Sequence, residues 1–369
     1  MTYPSNSAMS KIRFPDPFKI FEVTLQITNK CNLECIHCGS SSGPNASKGP
    51  PGIWCERFAE KVASKGFRDM EIIGGEPMLR PEVLLPLIKT ATAAGLAARF
   101  TSNGFWGENR SVCDRSIKQL ADAGLKILSL SIDKLHTAHV SHQSLLNIAH
   151  SFREAGFPFL MRIYGFEGEW EEVALVKEIQ SICAGHCAAY TSHILPIGRA
   201  RQNAVQLKLD SWIIPEEDNR PCHWVLFPVV DADQYWYLCA DGPTQGPDSP
   251  LCIGKMSDPD KLDEMLDRHY HYPIFRAIRS IGPLGMLEFL GEPSGVGEKH
   301  TSVCDLCLHR LLTPNNIPRL RALFTDEDVS KSLSRHFPSR PCSMCGANSW
   351  WQRGGEWLCS DCYLNTFEV

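Results

Sequence analysis

No apolar run in this 369-residue chain approaches the length of a membrane span. The polar first 18 residues, Met1 to Phe18, carry three prolines and no signal-peptide core. Neither charge dominates: 37 Lys+Arg against 42 Asp+Glu leave a formal net charge of −5. That balance argues against nucleic acid as the principal partner, although a local basic patch stays open. There is no low-complexity tract and no internal repeat beyond βα units. These absences lead to the expectation of a cytosolic globular protein without membrane contact. With 43% hydrophobic and 21% charged residues, it has room for one barrel-sized domain and smaller attachments.

Cysteine is abundant instead, at 16 residues. In a reducing compartment such usage points to metal ligands and not to disulfides. Eleven cysteines fall into three groups with ligand-like spacing. The other five, Cys55, Cys113, Cys183, Cys187 and Cys252, stand alone and read as small buried apolar residues. The first group, Cys31-x3-Cys35-x2-Cys38, offers three thiolates and no fourth. On a four-iron cluster three ligands leave one iron open to a group that is not protein. The rival reading is a zinc knuckle, which needs a fourth ligand, with His37 the nearest candidate.

From residue 20 to about 195, β-rich runs alternate with amphipathic stretches. Strands are predicted over Ile20–Ile27, Met70–Ile73, Ala97–Thr101, Ile127–Ile132, Phe159–Ile163 and Ala189–Leu195. Helices are predicted over Ile53–Lys65, Pro81–Ala94, Ser111–Ala123, Ser144–Ala155 and Trp170–Ile182. Six strands with five intervening helices imply a parallel α/β sheet, with ligands at the carboxyl ends of its strands. The cysteine triad follows the first strand and belongs at that edge. Gly74-Gly75-Glu76-Pro77 follows the second strand, where glycines admit a close backbone approach and a carboxylate can accept from an ammonium group. Read alone, it is also an ordinary strand-to-helix turn.

The triad, with Gly74–Pro77 one strand later, resembles the signature of radical S-adenosylmethionine (radical SAM) enzymes. The resemblance covers about residues 20–310 and implies a partial (β/α)6 TIM-like barrel. It implies a [4Fe-4S] cluster on Cys31, Cys35 and Cys38, whose open iron chelates the methionine moiety of S-adenosylmethionine. Gly74, Gly75, Glu76 and Pro77 match the element that holds the methionine amino group. Ser102 and Asn103 in Thr101–Gly104 resemble the ribose-contacting stretch. Ser129, Ser131 and Asp133 stand where the family places polar groups toward the ribose and methionyl end. Arg162 would pair with the methionine carboxylate, and Arg199, in Pro196–Ala200, lies in a turn like the one that packs on adenine. Where many members carry an aromatic residue before the third cysteine this chain has His37, read as an adenine contact and not an iron ligand. The implied chemistry is reductive cleavage to a 5′-deoxyadenosyl radical, which takes hydrogen from an unactivated C–H bond.

Cys222 and Cys239 flank an apolar aromatic stretch with a hairpin turn at Asp231–Asp233, and Cys304-x2-Cys307 follows far downstream. This arrangement resembles the shortened "twitch" form of the SPASM extension, which implies a second [4Fe-4S] cluster on all four thiolates. A structural zinc site on the same residues is the alternative, and Cys252 could replace one ligand or be core. Cys342-x2-Cys345 and Cys359-x2-Cys362, thirteen residues apart, read as a zinc ribbon, with a rubredoxin-like iron site as the lesser option. Trp350, Trp351 and Trp357 exceed what so small a module can bury.

The organisation expected is a tail over 1–19, the barrel over 20–214, an auxiliary-cluster domain over 215–310, a helical linker over 311–340 and the ribbon over 341–369. The expected activity is that of an oxidoreductase or maturase modifying a peptide or protein side chain, with a flavodoxin- or ferredoxin-type reductase as electron donor. Only about eighteen residues precede the first strand, which leaves no room for a leader-peptide-binding domain. Dehydrogenation or rearrangement of a small metabolite of aminocyclitol, sugar or nucleoside type is the alternative. A non-catalytic iron–sulfur or zinc protein that binds nucleic acid is the third.

Overall fold

The computed structural model describes residues 20–47, 49–156, 160–166, 173–192, 194–209, 212–213, 222–293, 299–300, 302–324, 340–341, 348–349, 351–353 and 356–358. Six strands run parallel and pair in chain order: β1 (Glu22–Gln26), β2 (Asp69–Ile73), β3 (Ala97–Ser102), β4 (Ile127–Ser131), β5 (Leu160–Phe166) and β6 (Cys187–Ser192). Between them lie α1 (Gly52–Ser64), α2 (Pro81–Ala93), α3 (Arg110–Asp122), the single turn α4 (Lys134–Thr137), α5 (His142–Ala155) and α6 (Val173–Ile182). Strand alternation sorts the two faces. Leu25, Met70, Ile72, Phe100, Leu128, Leu130, Met161 and Ile163 are fully buried in one apolar core with the helices. The alternate positions Thr24, Glu71, Arg99, Ser129 and Arg162 therefore face the concave side. The fold is the expected α/β arrangement, with element ends displaced by a few residues at most among those described.

That concave side is polar. Arg99, 8% exposed, pairs with Glu22 and Glu71 and lies 3.8 Å from Asp69. Thr101 donates to Glu71 at 2.9 Å. Burial raises the pKa of Glu22 and Asp69 against the pull of Arg99.

The sheet continues past β1. The short α7 (Gly198–Gln202) follows β6, and β7 (Trp212–Ile213) comes next. A hairpin of β8 (Val229–Val230) and β9 (Tyr235–Tyr237), turning through Asp231–Gln234, then adds β8 alongside β1 in parallel. β10 (Cys252–Lys255) pairs antiparallel with β9, so the nine-stranded sheet reads β10-β9-β8-β1-β2-β3-β4-β5-β6. α8 (Leu262–His271) and α9 (Pro273–Phe289) follow. β11 (Lys299–His300) pairs with β7, ahead of α10 (Val303–Leu306), a π-turn over Cys307–Leu311 and α11 (Asn316–Phe324). Phe275, Leu284, Leu287, Leu306, Leu311 and Leu320 build a second core with Val225, Leu226 and Leu238 of the hairpin region. Near the carboxyl end β12 (Arg340–Pro341) pairs with β13 (Asn348–Ser349), and β14 (Trp351–Arg353) with β15 (Glu356–Leu358). The ribbon cysteines Cys342, Cys345, Cys359 and Cys362 lie outside the described residues, as do the tail over 1–19 and residues 325–339 of the expected linker. Among the described residues no helix is long and apolar enough to cross a membrane.

Candidate active site

A cavity of about 370 Å³ opens where the parallel strands end, and Cys31, Cys35 and Cys38 all line it. The loop that carries them is pinned by backbone bonds from Cys31 N–H to Gly43 (3.0 Å) and Cys38 N–H to Cys35 (3.1 Å). Leu33 N–H donates to the Cys31 sulfur at 3.4 Å, and Asn103 Nδ2 stands 3.8 Å from it. Burial pushes Cys31 up to about 11 and Cys35 to about 12. These thiols become thiolates only beside a strong positive charge such as iron supplies. Their sulfurs are not gathered as one zinc ion needs. Among the described residues no three cysteine sulfurs lie within 4.8 Å of one another, whereas thiolates on a single tetrahedral zinc sit about 3.8 Å apart.

Gly74 and Gly75 line the cavity, and a methyl group on Gly75 would fall 2.4 Å from the Lys30 carbonyl oxygen. That close approach lets Gly75 N–H bond to Thr28 (2.7 Å) and Glu76 N–H to Lys30 (2.9 Å), fastening this turn to the chain that leads into Cys31. The side chain of Glu76 does something other than the sequence suggested. Fully buried, its carboxylate accepts from Met78 N–H (2.9 Å), Asn103 N–H (2.8 Å) and Ser102 Oγ (3.0 Å). With those contacts made, it has turned inward and offers little to an ammonium group. Pro77 opens the short turn that Glu76 caps and is buried. Ser102 is likewise committed, accepting from Gly104 N–H (3.0 Å) and Trp106 Nε1 (2.9 Å) while donating to Glu76. Asn103 donates to Asn32 Oδ1 (3.0 Å) and accepts from Phe105 N–H (3.0 Å). Both residues border the cavity, but their first task is to join β3 to the Cys31 loop.

On β4, Ser131 lines the cavity. Ser129 lies one layer deeper, fully buried, and its Oγ has no hydrogen-bond partner among the described residues. It stands in register with Thr101 and with Arg162, whose guanidinium lies 5.3 Å over the Tyr190 ring. A buried orphan hydroxyl beside an arginine fits a carboxylate-bearing guest. With the buried Cys31 and Cys35 thiols in need of a positive partner, this suits S-adenosylmethionine on an open-iron cluster. Asp133 caps α4 through Leu135 N–H (2.9 Å) and His136 N–H (3.1 Å), and its second oxygen meets His136 Nδ1 at 2.5 Å. Burial opposes its charge, but the His136 contacts hold its pKa below the usual range. Asp133 thus caps α4 and orients His136.

His136 is a cavity-lining residue that sequence reasoning missed. Its signal was an Asp three residues upstream at a helix start, the spacing of a capping pair. His37 also lines the cavity and meets the His136 ring edge-on, centroids 4.5 Å apart. Burial, then His136, push the His37 pKa down to about 4, so its ring is neutral near pH 7. His37, Asp133 and His136 bring ligand atoms within 4.8 Å of one another, and the Asp133–His136 bond accounts for that grouping.

Arg199 does not face the cavity. It clamps the cysteine loop, with Nη1 donating to the Cys35 carbonyl (2.8 Å), Nη2 to Ser42 (2.5 Å) and its own N–H to Cys38 (2.9 Å). Gly198, at φ 53, lets α7 approach so closely that a Cβ there would sit 2.0 Å from the Gly39 carbonyl. Ile194, Leu195 and Ile197, just upstream, supply an apolar wall of the cavity.

Cys222, Cys239, Cys304 and Cys307 come together at the second core. Burial raises the pKa of all four, and neighbouring thiols raise Cys239, Cys304 and Cys307 further. Cys304 donates to Asp241, and Cys222 N–H bonds to the Ile278 carbonyl at 3.1 Å. The Cys252 thiol is likewise raised by burial, with Asp231 and Asp248 as its acidic neighbours. Of the solitary cysteines, Cys55, Cys113 and Cys183 are buried, and Cys183 hydrogen-bonds to Cys187.

The family model of the radical SAM superfamily matches residues 25–177. Residues 25–177 thus carry a radical SAM domain. The chain is 26% identical over 216 residues to an AdoMet-dependent heme synthase of Methanosarcina barkeri, covering 55% of this chain and 56% of that one. It is 27% identical over 206 residues to the sporulation killing factor maturation protein SkfB of Bacillus subtilis, covering 53% and 48%. The chain thus spans about half the length of these curated relatives. Among solved structures, BtrN in complex with AdoMet and 2-DOIA aligns over 76% of this chain and 93% of that one, at 12% identity and a TM-score of 0.44.

Proposed function

We propose that this radical SAM enzyme modifies a peptide or protein side chain in a maturation pathway, with an auxiliary [4Fe-4S] cluster on Cys222, Cys239, Cys304 and Cys307. The observation that carries the reading is the gathering of those four thiols beside the barrel, with sulfurs spaced more widely than one zinc ion would draw them. A cubane holds its ligands on four separate metal corners and suits such spacing. The likeness to a maturation protein points the same way. When bound, the open-iron cluster and S-adenosylmethionine supply a 5′-deoxyadenosyl radical on one-electron reduction. The chain's own residues prepare the place. Cys31, Cys35 and Cys38 hold the cluster, while Leu33 N–H and Asn103 stabilise charge on the Cys31 sulfur. Ser129 and Arg162 receive a carboxylate, and Ile73, Ile194, Leu195 and Ile197 exclude water from the reacting end. The auxiliary region over 215–310, a linker over 311–340 and a zinc ribbon over 341–369 complete the proposed organisation. The electron donor in this reading is a flavodoxin- or ferredoxin-type reductase.

A second reading, a small biosynthetic metabolite as substrate, is favoured by the likeness to a heme synthase. Anaerobically reconstituted, reduced protein is to be incubated with S-adenosylmethionine and candidate peptides or alcohols. Release of 5′-deoxyadenosine stimulated by peptides is expected. Stimulation by a cyclitol-type alcohol and by no peptide sinks the first reading and leaves the second.

A further inference from the structure

The two thiol sites are joined by an unbroken set of short contacts that neither site needs for its own ligands. Cys307 opens the π-turn, and two residues on, His309 Nε2 meets the Pro196 carbonyl oxygen at 3.0 Å. A carbonyl only accepts, so Nε2 carries the hydrogen and donates. Asp305 Oδ1 stands 3.7 Å from the same nitrogen, and His300 meets Asp305 at 3.2 Å. Pro196 belongs to the segment whose Ile194, Leu195 and Ile197 wall the active-site cavity. Its ring fixes φ and leaves little slack before α7 begins at Gly198. From α7, Arg199 takes hold of the carbonyls of Cys35, Cys38 and Ser42, and Asn203 Nδ2 reaches Ile36 at 3.3 Å. A displacement of the π-turn is therefore passed to a wall of the cavity and to the loop that carries all three cluster ligands.

We propose that His309, acting through Pro196 and Arg199, is a positioning residue that couples the auxiliary thiol site to the open-iron site. Filling the auxiliary site fixes the π-turn, which sets the cysteine loop for S-adenosylmethionine. The inference rests on the auxiliary-cluster reading above. It is a coupling free energy between two sites, and a double-mutant cycle measures it.

Four full-length proteins are reconstituted anaerobically: wild type, Cys304→Ala/Cys307→Ala, His309→Leu and the combination. Iron is counted, and S-adenosylmethionine affinity is read from the change it makes in the electron paramagnetic resonance signal of the reduced cluster. Loss of the auxiliary ligands should lower iron from about eight to about four per chain. It should also weaken S-adenosylmethionine binding about tenfold in the His309 background. In His309→Leu the same loss should change affinity less than about twofold. His309→Gln, which keeps a side-chain donor for Pro196, should restore the coupling, and His309→Ala, which removes that donor, replaces His309→Leu in the cycle if that variant does not fold. Unchanged iron on losing Cys304 and Cys307 refutes the auxiliary cluster and the inference together. Iron that falls while affinity stays constant, or changes equally in both backgrounds, refutes the coupling alone.

Discussion

Glu76 makes the sharpest test of how the active-site turn is built. Its carboxylate is fully buried, and burial lifts its pKa from 4.5 to about 7 even though Asn103, Met78 and Ser102 all donate to it. A folded-state value above the unfolded one means that the native state holds the proton longer. The associated stability is complete below about pH 4.5, declines at about 1.4 kcal/mol per pH unit above it, and is gone once pH passes about 7. The interval of 4.5 to about 7 corresponds to about 3 kcal/mol. Glu76→Gln removes the titration but keeps one acceptor oxygen, leaving a buried donor short of its partner at a fixed cost of about 1–3 kcal/mol. Urea unfolding of both proteins from about pH 4.5 to about pH 8, followed by tryptophan fluorescence, gives the difference in stability at each pH. Other titrating groups cancel in that difference. The stability of the wild type minus that of the variant should fall by about 3 kcal/mol as pH rises to about 7, from about 1–3 kcal/mol to zero or below, and stay level above that. A difference independent of pH would refute the account of Glu76 as an inward-facing, desolvated anchor.

The remaining predictions concern neighbouring layers of the same barrel. Ser129→Ala should leave the protein without cofactor as stable as before or up to about 1 kcal/mol more stable, since it removes an orphaned polar atom. The same change should weaken S-adenosylmethionine binding about tenfold, and equal binding by both proteins counts against a carboxylate at that hydroxyl. Arg99→Met strands Glu22, Asp69 and Glu71 without their shared cation and should cost about 3–5 kcal/mol in urea unfolding. Cys35→Ala should abolish 5′-deoxyadenosine formation and the signal of the open-iron cluster. Cys345→Ala should leave uncoupled cleavage of S-adenosylmethionine largely intact, as measured by 5′-deoxyadenosine released without substrate.

The first five parallel strands were legible because each puts apolar residues on its buried face and is separated from the next by an amphipathic helix. The hairpin at Asp231–Gln234 was legible for a similar local reason. Its place beside β1 was not, since a parallel pairing of Thr24 with Val229 leaves no local trace in either segment. The site divides along the same line. Cys31, Cys35 and Cys38 announce themselves by spacing and do meet in one cavity. Whether Glu76 faces a guest or its own fold depends on an amide from Asn103, 27 residues away and just past the end of β3. Arg199 sits in a turn that the family resemblance likens to one packing on adenine, yet its fork spans carbonyls more than 150 residues upstream. A residue type and a nearby motif identify such groups as polar and important, but not which way they turn.

The polar interior carries that argument one step further. A closed eight-stranded barrel fills its inside with layers of branched aliphatic side chains. Here the sheet ends at β6 on one side and β10 on the other, and its inward layers hold Glu71 and Arg99, then Thr101, Ser129 and Arg162. Buried charge of this kind is costly without partners, and the deeper layer meets the cost within itself through Arg99 and its carboxylates. The layer above does not, because Ser129 keeps an unanswered hydroxyl. Polar groups satisfied from within at the floor and left waiting one layer higher mark the depth at which a guest must complete the structure. That depth lies directly beneath Ser131 on the wall of the cysteine-lined cavity.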